Sequence, residues 1–514
     1  MRDTDVKIDP IFTTNVVSMC DDVRVSETGD FYIDVPEDVR SLSKEALAYM
    51  VQQHGIACAD YDRYMKYFRG EHTRIINQPR KSNNKPDNRI VQNYPRQLVN
   101  AYTGYFAGVN PTFAINREEG DDVDGKVNEL GDDIKKDGAE ELERFVDNNN
   151  INHFFVQQAK YVDIFGRSLG FVYQDENADT RLTTLDPRQG FIVYSDDVAA
   201  RPVYAVRYRK FKKSDSKIFV DVHAVENEGG ENCVNYTAEN VDALDYASEG
   251  SEKTLFDSFE TDKITYGRLP MIEFASNDEK MGIFTDLITV FDAIDSALSE
   301  KKNDVDYFGD AILTAVNAQL NKRDFDQLRD KRILAINGSS EKNAEIKFLE
   351  KPTADETQEN LINRLVSSMY DISGIVNLND RNFTNASSGQ ALKQRLQAMR
   401  QNADTKASFF VRSFREVFRC LFTGLLNPEA LDNVIIRLKK NEPLDVLDES
   451  QSLVNLAAAN GAGLISVETA LTNMSYIENP QEEMARIAKE RAEGINSLGD
   501  LSVPKPKGRS DDEE

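Results

Sequence analysis

This sequence lacks the features that would assign it to a membrane or to a secretory pathway. It has no apolar run near the roughly 20 residues that a helix needs to span a bilayer, and its N-terminus has no signal-peptide core. Its four cysteines, Cys20, Cys58, Cys233 and Cys420, are scattered without a pairing rhythm. The sequence therefore predicts a protein made in a reducing cytoplasm, without a membrane segment.

Basic residues are also scarce. The chain has 62 Lys and Arg against 88 Asp and Glu, which gives a formal net charge of −26. Proteins that wrap nucleic acid neutralise phosphates with basic patches, so this balance argues against ordinary nucleic-acid wrapping. It remains compatible with a protein that handles DNA without gripping it. At 514 residues the chain is too long for one core, and about two to four domains are expected.

The sequence motifs of common catalytic sites are absent. We find no Gly-x-x-x-x-Gly-Lys-Ser/Thr phosphate loop, no Gly-x-Ser-x-Gly elbow and no His-Glu-x-x-His motif. His54 and Cys58 stand one helical turn apart and could share a metal, but no second ligand pair accompanies them. We interpret the pair as a coincidence on a helix surface. No catalytic residue, metal site or cofactor is nominated, and we expect that the protein is not an enzyme.

Hydrophobic periodicity predicts an α+β chain. Apolar residues recur at helical spacing in several segments, whereas residues 169–275 alternate with a period of two, which is typical of antiparallel strands. Aromatic residues at helical spacing within 61–68 and 102–106 favour core packing over base stacking. The predicted order is an acidic N-terminal arm with one short strand (1–43), a helical and β-rich region (44–282), two helices (283–308 and 354–375) around a small α/β segment (309–353), a loop (376–388), a long helix (389–425), further helices (426–494) and a disordered tail (495–514).

The helices at 283–308 and 354–375 are predicted to form an antiparallel pair of legs, with the α/β segment as a knob at the far end. The second leg carries Leu361, Leu365, Met369 and Ile372 on one face. In the first leg the acidic residues are predicted to lie mostly opposite a single apolar stripe. The stripe is Phe284, Leu287, Phe291, Ile294, Leu298 and Val305, and the acidic residues are Asp286, Asp292, Asp295, Glu300, Asp304 and Asp306.

A loop joins the second leg to the long helix. The helical pattern stops at Gly374 and resumes near Ser388, which leaves about a dozen loop-forming residues between them. Loops of this length inside a compact domain are uncommon and usually functional. Since helices tether both of its ends, we expect it to project as a finger. A plain surface loop is the equal alternative from the residues alone.

The long helix is the one distinctly basic element of this acidic chain. Its apolar residues keep phase for about eight turns, which corresponds to a rod of about 44 Å. Two interpretations stay open: the helix contacts phosphates, or it pairs with acidic helices of a neighbouring subunit. Its basic residues are Lys393, Arg395, Arg400, Lys406, Arg412, Arg415 and Arg419.

Several short motifs occur in order over most of the chain. They are Tyr64–Gly70 (YMKYFRG), Asp87–Asn93 (DNRIVQN), Tyr105–Pro111 (YFAGVNP), Asp186–Arg188 with Tyr194, Arg201–Pro202 with Ala205–Tyr208, Gly267–Pro270 (GRLP) with Glu273–Phe274, Ser373–Ile375, Ser387–Gly389 with Ala391–Lys393, and Gly463–Ser466 (GLIS) with Glu468–Thr469. Each is weak alone, but their order and spacing together are specific. The sequence resembles tailed-bacteriophage portal proteins, most closely those of long-tailed phages of Gram-positive hosts.

The resemblance implies a portal-protein fold, with a mainly helical stem and crown, a β-rich wing and a small α/β clip. The long helix is left undecided between wing and crown. In portal terms the wing is 44–282, the stem is the pair 283–308 and 354–375, the clip is 309–353, the tunnel loop is 376–388 and the crown is 426–494.

The resemblance also implies a function. Portals of this type form a dodecameric ring at one capsid vertex of the virion, and this chain would be made in the host bacterial cytoplasm. Double-stranded DNA would pass through the ring during packaging and ejection. The implied partners are the terminase large subunit, the head–tail adaptor, and the major capsid and scaffolding proteins. A negative channel wall, screened beyond about 8 Å, would let DNA slide without sticking.

Two sets of residues follow from this resemblance. The tunnel loop would present mostly neutral hydrogen-bonding groups and one cation to DNA, through Asn379, Asp380, Arg381, Asn382, Asn385 and Ser387. The clip would contact terminase or adaptor through Lys322, Arg323, Arg329, Lys331 and Arg332, with a solvated surface as the alternative. The rival hypothesis is a non-portal head–tail adaptor or capsid-associated structural protein.

Overall fold

A computed structural model describes most of the chain. Helices and strands follow one another there as an α+β protein. The described residues are 22–80, 86–115, 142–177, 179–209, 219–226, 234–242, 268–309, 313–316, 345–348, 355–377, 396–424, 434–441, 446–472, 474, 477 and 480–492.

The α-helices are α1 (Lys44–Arg69), α2 (Thr73–Ile76), α3 (Tyr94–Ala107), α4 (Ile151–Phe165), α5 (Ile288–Gly309), α6 (Asp355–Ser373), α7 (Gln397–Gly424), α8 (Val446–Gly461), α9 (Val467–Thr472) and α10 (Pro480–Ala492). The strands are β1 (Val23–Val25), β2 (Phe31–Ile33), β3 (Thr112–Ile115), β4 (Arg167–Gln174), β5 (Thr180–Leu185), β6 (Gly190–Ser195), β7 (Pro202–Arg209), β8 (Phe219–Glu226), β9 (Val234–Asp242), β10 (Met271–Ala275), β11 (Leu313–Val316), β12 (Glu345–Phe348) and β13 (Val434–Arg437).

Capping residues mark both ends of α1 and the start of α3. The Ser43 hydroxyl accepts the Ala46 N–H at 3.1 Å and caps α1. Gly70 ends α1 with a φ of +83°, a left-handed conformation that glycine adopts at little cost. Asn93 caps α3 by accepting the Arg96 N–H. The aromatic residues within 61–68 and 102–106, predicted from their helical spacing, lie in these two helices.

Two sheets make up the β-rich region. The larger has the order β1-β2-β6-β7-β8-β9 and is antiparallel except for the parallel pair β2–β6. The smaller has the order β10-β4-β5 and is antiparallel throughout. The sequence predicts one short strand within 1–43, but the structure has two. Phe31 and Ile33 point into the core from β2, so three residues suffice to join the N-terminal segment to the sheet.

The main hydrophobic core lies among α1, α3, α4, α5 and α7. The aromatic residues of the predicted helical clusters belong to it: Tyr67, Tyr102 and Phe106 are all less than 5% exposed. Core packing was therefore the correct interpretation of these aromatics. A second core fills the space between the six-stranded sheet and the N-terminal half of α1.

The predicted legs are neighbours in the structure. Near one end of the pair, Lys301 Nζ of α5 lies 2.5 Å from Glu359 Oε2 of α6, and Gln358 donates to Asp304 at 3.3 Å. Beyond that end, β11 and β12 pair antiparallel. The rest of the predicted α/β segment, residues 310–312, 317–344 and 349–353, lies outside the described residues.

Two details of the legs differ from the prediction. Asp292 and Asp295 of α5 are 6% and 0% exposed, not on the solvent side, because neighbouring segments supply hydrogen-bond donors. Leu361 and Ile372 of α6 are 52% and 59% exposed, although they were assigned to its packed face. The buried stripe passes through Ile362 instead, one residue further around the helix, on the side that α5 covers.

Candidate functional site

The residues assigned to the tunnel loop and the clip lie outside the described part of the chain. This applies to Asn379, Asp380, Arg381, Asn382, Asn385 and Ser387, and to Lys322, Arg323, Arg329, Lys331 and Arg332. Their roles stay predictions. The structure does describe the supports of both segments: α6 and α7 for the loop, and β11 and β12 for the clip.

The described residues on the two sides of the predicted tunnel loop lie close together. After α6, Gly374 has a φ of +64°, and a Cβ added there would lie 2.9 Å from Asn402 Nδ2 and 4.0 Å from Ala398 Cβ, both on α7. The chain then turns into the core, where Ile375 is buried and donates its N–H to Ser373 Oγ at 3.2 Å. The end of α6 therefore meets the first turns of α7, the helix that follows the predicted loop.

The helix that receives the loop is anchored in the main core. Leu396, just before α7, is buried, and further along the helix the Phe414 ring lies 5.2 Å from Phe113 of β3. Ser413 Oγ donates to the Glu273 carbonyl of β10 at 2.6 Å. The structure describes this helix from Gln397, and its predicted first turns at 389–395 lie outside the described residues.

Lys406 of α7 is a buried cation. It is 1% exposed, and its Nζ donates to Asp163 Oδ1 at 2.6 Å and to the Ala159 carbonyl at 3.2 Å, both on α4. The other carboxylate oxygen of Asp163 accepts from Thr103 Oγ1 of α3 at 2.7 Å. Nζ also lies 4.4 Å from the centre of the Phe106 ring. Burial lowers the pKa of Lys406 and raises that of Asp163, and the attraction between the two charges opposes both shifts.

For Lys406, therefore, neither sequence-based interpretation of the basic helix holds, since its acidic partner lies within the same chain. The sequence did carry a signal: Lys406 follows Ala403 by three residues and precedes Phe410 by four, which places it on the apolar stripe. Buried lysines are rare, so it was grouped with the surface charges. Arg412 and Arg415 are exposed, and for them both interpretations stay open.

Residues 88–92, named the strap here, run along α5. Every second backbone N–H of the strap donates to every fourth side chain of the helix. Two residues of extended chain advance about 6.6 Å and four helical residues about 6.0 Å, so the two spacings match. The bonds are Gln92 to Asp295 Oδ1 at 2.8 Å, Ile90 to Ser299 Oγ at 2.9 Å and Asn88 to Asn303 Oδ1 at 2.6 Å.

The buried aspartates of α5 also bind the connection between α1 and α2. Asp295 is hydrogen-bonded to His72 Nδ1, and the His72 ring stacks on Tyr67 at 4.6 Å. The Tyr67 hydroxyl donates to Asp292 Oδ1 at 2.8 Å. Asp295 falls on the apolar stripe, four residues after Phe291, so sequence spacing alone could have placed it inside. These bonds join the predicted stem to the predicted wing.

A second group of buried charges joins the two sheets. Asp30 accepts from Arg167 Nη1 at 2.8 Å and from Lys280 Nζ at 2.6 Å, and Lys280 also bonds Glu273 Oε2 at 2.8 Å. Burial opposes ionisation of Asp30, but the two cations outweigh it and hold its pKa below the usual range. With two acids and two bases, this network fastens the N-terminal segment to both sheets.

His54 is buried and Cys58 is half-buried, so the interpretation as a pair on a helix surface was wrong for His54. The Tyr208 hydroxyl lies 2.7 Å from His54 Nδ1 and 3.4 Å from Cys58 Sγ. Burial lowers the pKa of His54 to about 3 and raises that of Cys58 to about 11. Within the described ranges, no three His, Cys, Asp or Glu side chains are grouped so as to hold a metal ion.

Residues 52–497 match the family model described as phage portal protein, SPP1 Gp6-like. This chain belongs to that portal family. It is also similar to the portal protein of Bacillus phage SPP1, with 22% identity over 441 residues, which cover 81% of this chain and 79% of the relative. The resemblance inferred from the short motifs is therefore confirmed. Portal proteins are structural, non-enzymatic components of the phage capsid that serve genome packaging.

In this portal chain, the family match begins within α1 and ends after α10, so it takes in the strap, the Lys406–Asp163 pair and both legs. Among the helices that the structure describes, none is long and apolar enough to cross a bilayer. The family match also favours a portal over the rival head–tail adaptor.

Proposed function

We propose that twelve copies of this portal protein form a ring at one capsid vertex, and that double-stranded DNA passes along its axis during packaging and ejection. The segment 376–388 is the tunnel loop that faces the DNA, and α5 and α6 form the stem. The clip, 309–353, docks the terminase large subunit and later the head–tail adaptor. The wing and crown contact the major capsid and scaffolding proteins.

The observation that carries this proposal is the meeting of α6 and α7 at Gly374. A segment whose two ends are anchored side by side in a packed core can project as a hairpin of defined position. Both anchors belong to one core with α5, so a displacement of the stem reaches the loop through packed side chains. In this arrangement the loop can adjust to passing DNA, because the packed helices and not the loop hold the ring together.

Electrostatics supports a channel that conducts without binding. Each chain carries a formal charge of −26, and a ring of such chains surrounds the duplex with like charge. Screening limits this repulsion to about 8 Å from the wall. Among the predicted loop residues, Arg381 is the single cation, and the asparagines and serine form neutral hydrogen bonds that exchange readily with water. Weak contacts of this kind keep a passing polyanion mobile.

Electron microscopy of the purified protein tests the ring. We expect closed rings of twelve subunits with an axial hole, and density for 376–388 at the hole. Monomers, open sheets, or a loop on the outer circumference would contradict the proposal.

The tunnel loop is tested by Arg381→Glu. The variant should assemble rings normally but alter the amount of DNA packaged or retained, because the one cation near the phosphates becomes an anion. Asn77→Asp, which lies on the loop after α2, is the control for adding a charge elsewhere. Normal packaged length and titre in Arg381→Glu would argue against a DNA-facing loop.

The clip is tested by reversing the charges of Lys322, Arg323, Arg329, Lys331 and Arg332. We expect the reversed ring to lose terminase in a pull-down while keeping its twelve-fold form. Reversal of Arg63 and Lys66, exposed on α1, serves as the control for charge reversal elsewhere. Unaltered terminase capture by the clip variant would remove this assignment.

A further inference from the structure

Two kinds of contact hold α7 in place, apolar packing and hydrogen bonds. Its apolar residues pack against α3, α4 and β10, and such contacts are non-directional. Directional bonds to its second half come from Ser413, which donates to Glu273, and from Cys420, which donates to Leu269. In the first half, nearest to the tunnel loop, the buried directional bonds described are those of Lys406.

Lys406 reaches a rigid part of the molecule. Its partners Asp163 and Ala159 lie in α4, and Thr103 in α3 holds the far oxygen of the same carboxylate. The Asp163 carbonyl also accepts the Ile283 N–H at 2.9 Å, just before α5 begins. Asp163 thus bonds α7 and α3 through its carboxylate and the start of the predicted stem through its backbone carbonyl.

A buried ion pair is a poor device for stability alone. Removing two charges from water costs about as much as their attraction returns, and well-packed apolar replacements are often as stable. Apolar replacements do not fix the position of α7, because an apolar stripe tolerates small slides and rotations of the helix. A slide of α7 by one residue would move the loop anchor by about 1.5 Å and turn it by about 100°.

We propose that Lys406 is a positioning residue that fixes the register of α7 against α3 and α4, and so places the C-terminal end of the tunnel loop. The inference rests on the proposed function of that loop. Lys406 is ten residues from Leu396, about 15 Å along the helix, so it is close enough to define the anchor there. Its side chain is buried, so it does not itself contact DNA. In this role the pair acts on DNA passage through geometry rather than through contact.

The test replaces the pair with apolar side chains of similar size, as Lys406→Met with Asp163→Leu and Thr103→Val. The control is Lys280→Met with Asp30→Leu, which removes a buried pair at the joint of the sheets and leaves the Arg167–Glu273 contact at 3.3 Å in place. Each variant is measured the same number of degrees below its own melting temperature, so that a general loss of stability affects both alike.

Hydrogen exchange at the two loop anchors is the deciding measurement. The Ile375 N–H is bonded to Ser373 Oγ and the Arg400 N–H to the Leu396 carbonyl, and both report on the anchor. We expect their exchange to rise about tenfold in the Lys406 variant and to stay unchanged in the control. Equal exchange in both variants would overturn the inference.

A second variant covers the case in which the apolar replacement does not fold. Asp163→Glu keeps both charges but lengthens the carboxylate arm by one methylene, so a register-setting pair must shift α7. Exchange at Ile375 and Arg400 should then rise, although the ion pair persists. Unchanged exchange in Asp163→Glu would leave the pair a purely stabilising role and reject positioning.

DNA packaging separates this inference from the function on which it rests. If exchange rises in the Lys406 variant while packaging is normal both there and in Arg381→Glu, Lys406 positions the anchor but the loop does not govern DNA. If Arg381→Glu impairs packaging while exchange is unchanged in the Lys406 variant, the loop governs DNA and Lys406 does not position it. We expect impaired packaging in both variants.

Discussion

The six-stranded sheet and the C-terminal helices α8–α10 differ in how fully their apolar side chains are buried. In the sheet, Val206, Val220 and Val222 are fully buried, and α1 covers them from one side. In the described parts of α8–α10 and their connections, the buried side chains are Ala470 and Leu471, whereas Val454 is 61% and Leu464 79% exposed. The sheet completes its core within one chain, whereas most of the described side chains of the C-terminal helices are exposed or half-buried.

This difference indicates where the chain depends on its neighbours. Helices of 16, 6 and 13 residues are marginal in water unless packing holds them. If the chain assembles as proposed, the C-terminal helices gain their missing contacts in the ring, while the sheet is stable before assembly. Substitutions should therefore divide into those that unfold the monomer and those that weaken only the ring.

The largest loss of monomer stability is expected in the main core, whose residues, like those of the sheet, are buried within one chain. Phe414→Ala removes a fully buried ring that packs on Phe274 at 5.5 Å and should destabilise the monomer by about 3 to 5 kcal/mol. Chemical denaturation of the unassembled protein measures this loss. Val454→Ala in α8 is the matched control, and an equal loss there would break the distinction between the two regions.

Acid should weaken the sheet region and spare the C-terminal helices, which contain no histidine. Burial lowers the pKa of His223 to about 4, so the folded state binds fewer protons than the unfolded state below pH 6.5. Stability is therefore complete above pH 6.5 and falls as the pH drops, by about 2 kcal/mol at pH 5 for this residue.

His223→Gln should remove the contribution of His223 to the fall in stability at low pH, because glutamine can still reach Thr237 but does not titrate. Unfolding measured from pH 7 to 5 compares the two proteins. Identical slopes would mean that His223 does not titrate differently in the two states. His153→Gln, a histidine on the exposed side of α4, is the control.

A smaller effect is expected at the cap of α1, the helix that covers the sheet. Ser43→Ala removes the acceptor for the Ala46 N–H and should cost about 1 kcal/mol of monomer stability. Ser408→Ala removes an exposed hydroxyl within α7 and should cost less than about 0.5 kcal/mol. A loss of equal size from both substitutions would show that the cap contributes nothing specific.

The smallest effect on the monomer, yet a clear one on the ring, is expected at Leu464. Leu464→Ser should change monomer stability by less than about 0.5 kcal/mol, because the side chain is already exposed. In the assembled protein it should raise the concentration at which rings dissociate, measured by sedimentation. Rings as stable as those of the unchanged protein would mean that Leu464 faces water in the assembly too.

Much of the fold could be predicted from local patterns, because caps and periodicity act over a few residues. Ser43, Gly70 and Asn93 mark helix ends by their own hydrogen bonds and backbone preferences. The neighbouring legs and the β-rich region followed from apolar spacing. The family was predicted from ordered motifs, and the match over 52–497 confirms it. The parallel pairing of β2 with β6 could not be predicted, since it joins segments more than 150 residues apart.

The candidate site was predictable only in outline. The chain between Gly374 and α7 could be recognised as a tethered loop, but sequence could not show that Gly374 lies against Asn402 of α7. Lys406, Asp292 and Asp295 were assigned to the surface by their charge, and each is buried against a partner from a distant segment. A charged side chain inside a protein is stable only beside its partner, and a partner far away in sequence leaves no local trace.

The sequence alone determined the alternation of helices and strands, the acidic character and the portal family, since these follow from short-range spacing, composition and motif order. Tertiary structure alone decided which charges are inside, which faces of α6 and α8 stay exposed, and where the loop is anchored. Those features depend on atoms that meet only after the chain has folded, and on the balance between desolvation and pairing at each meeting point.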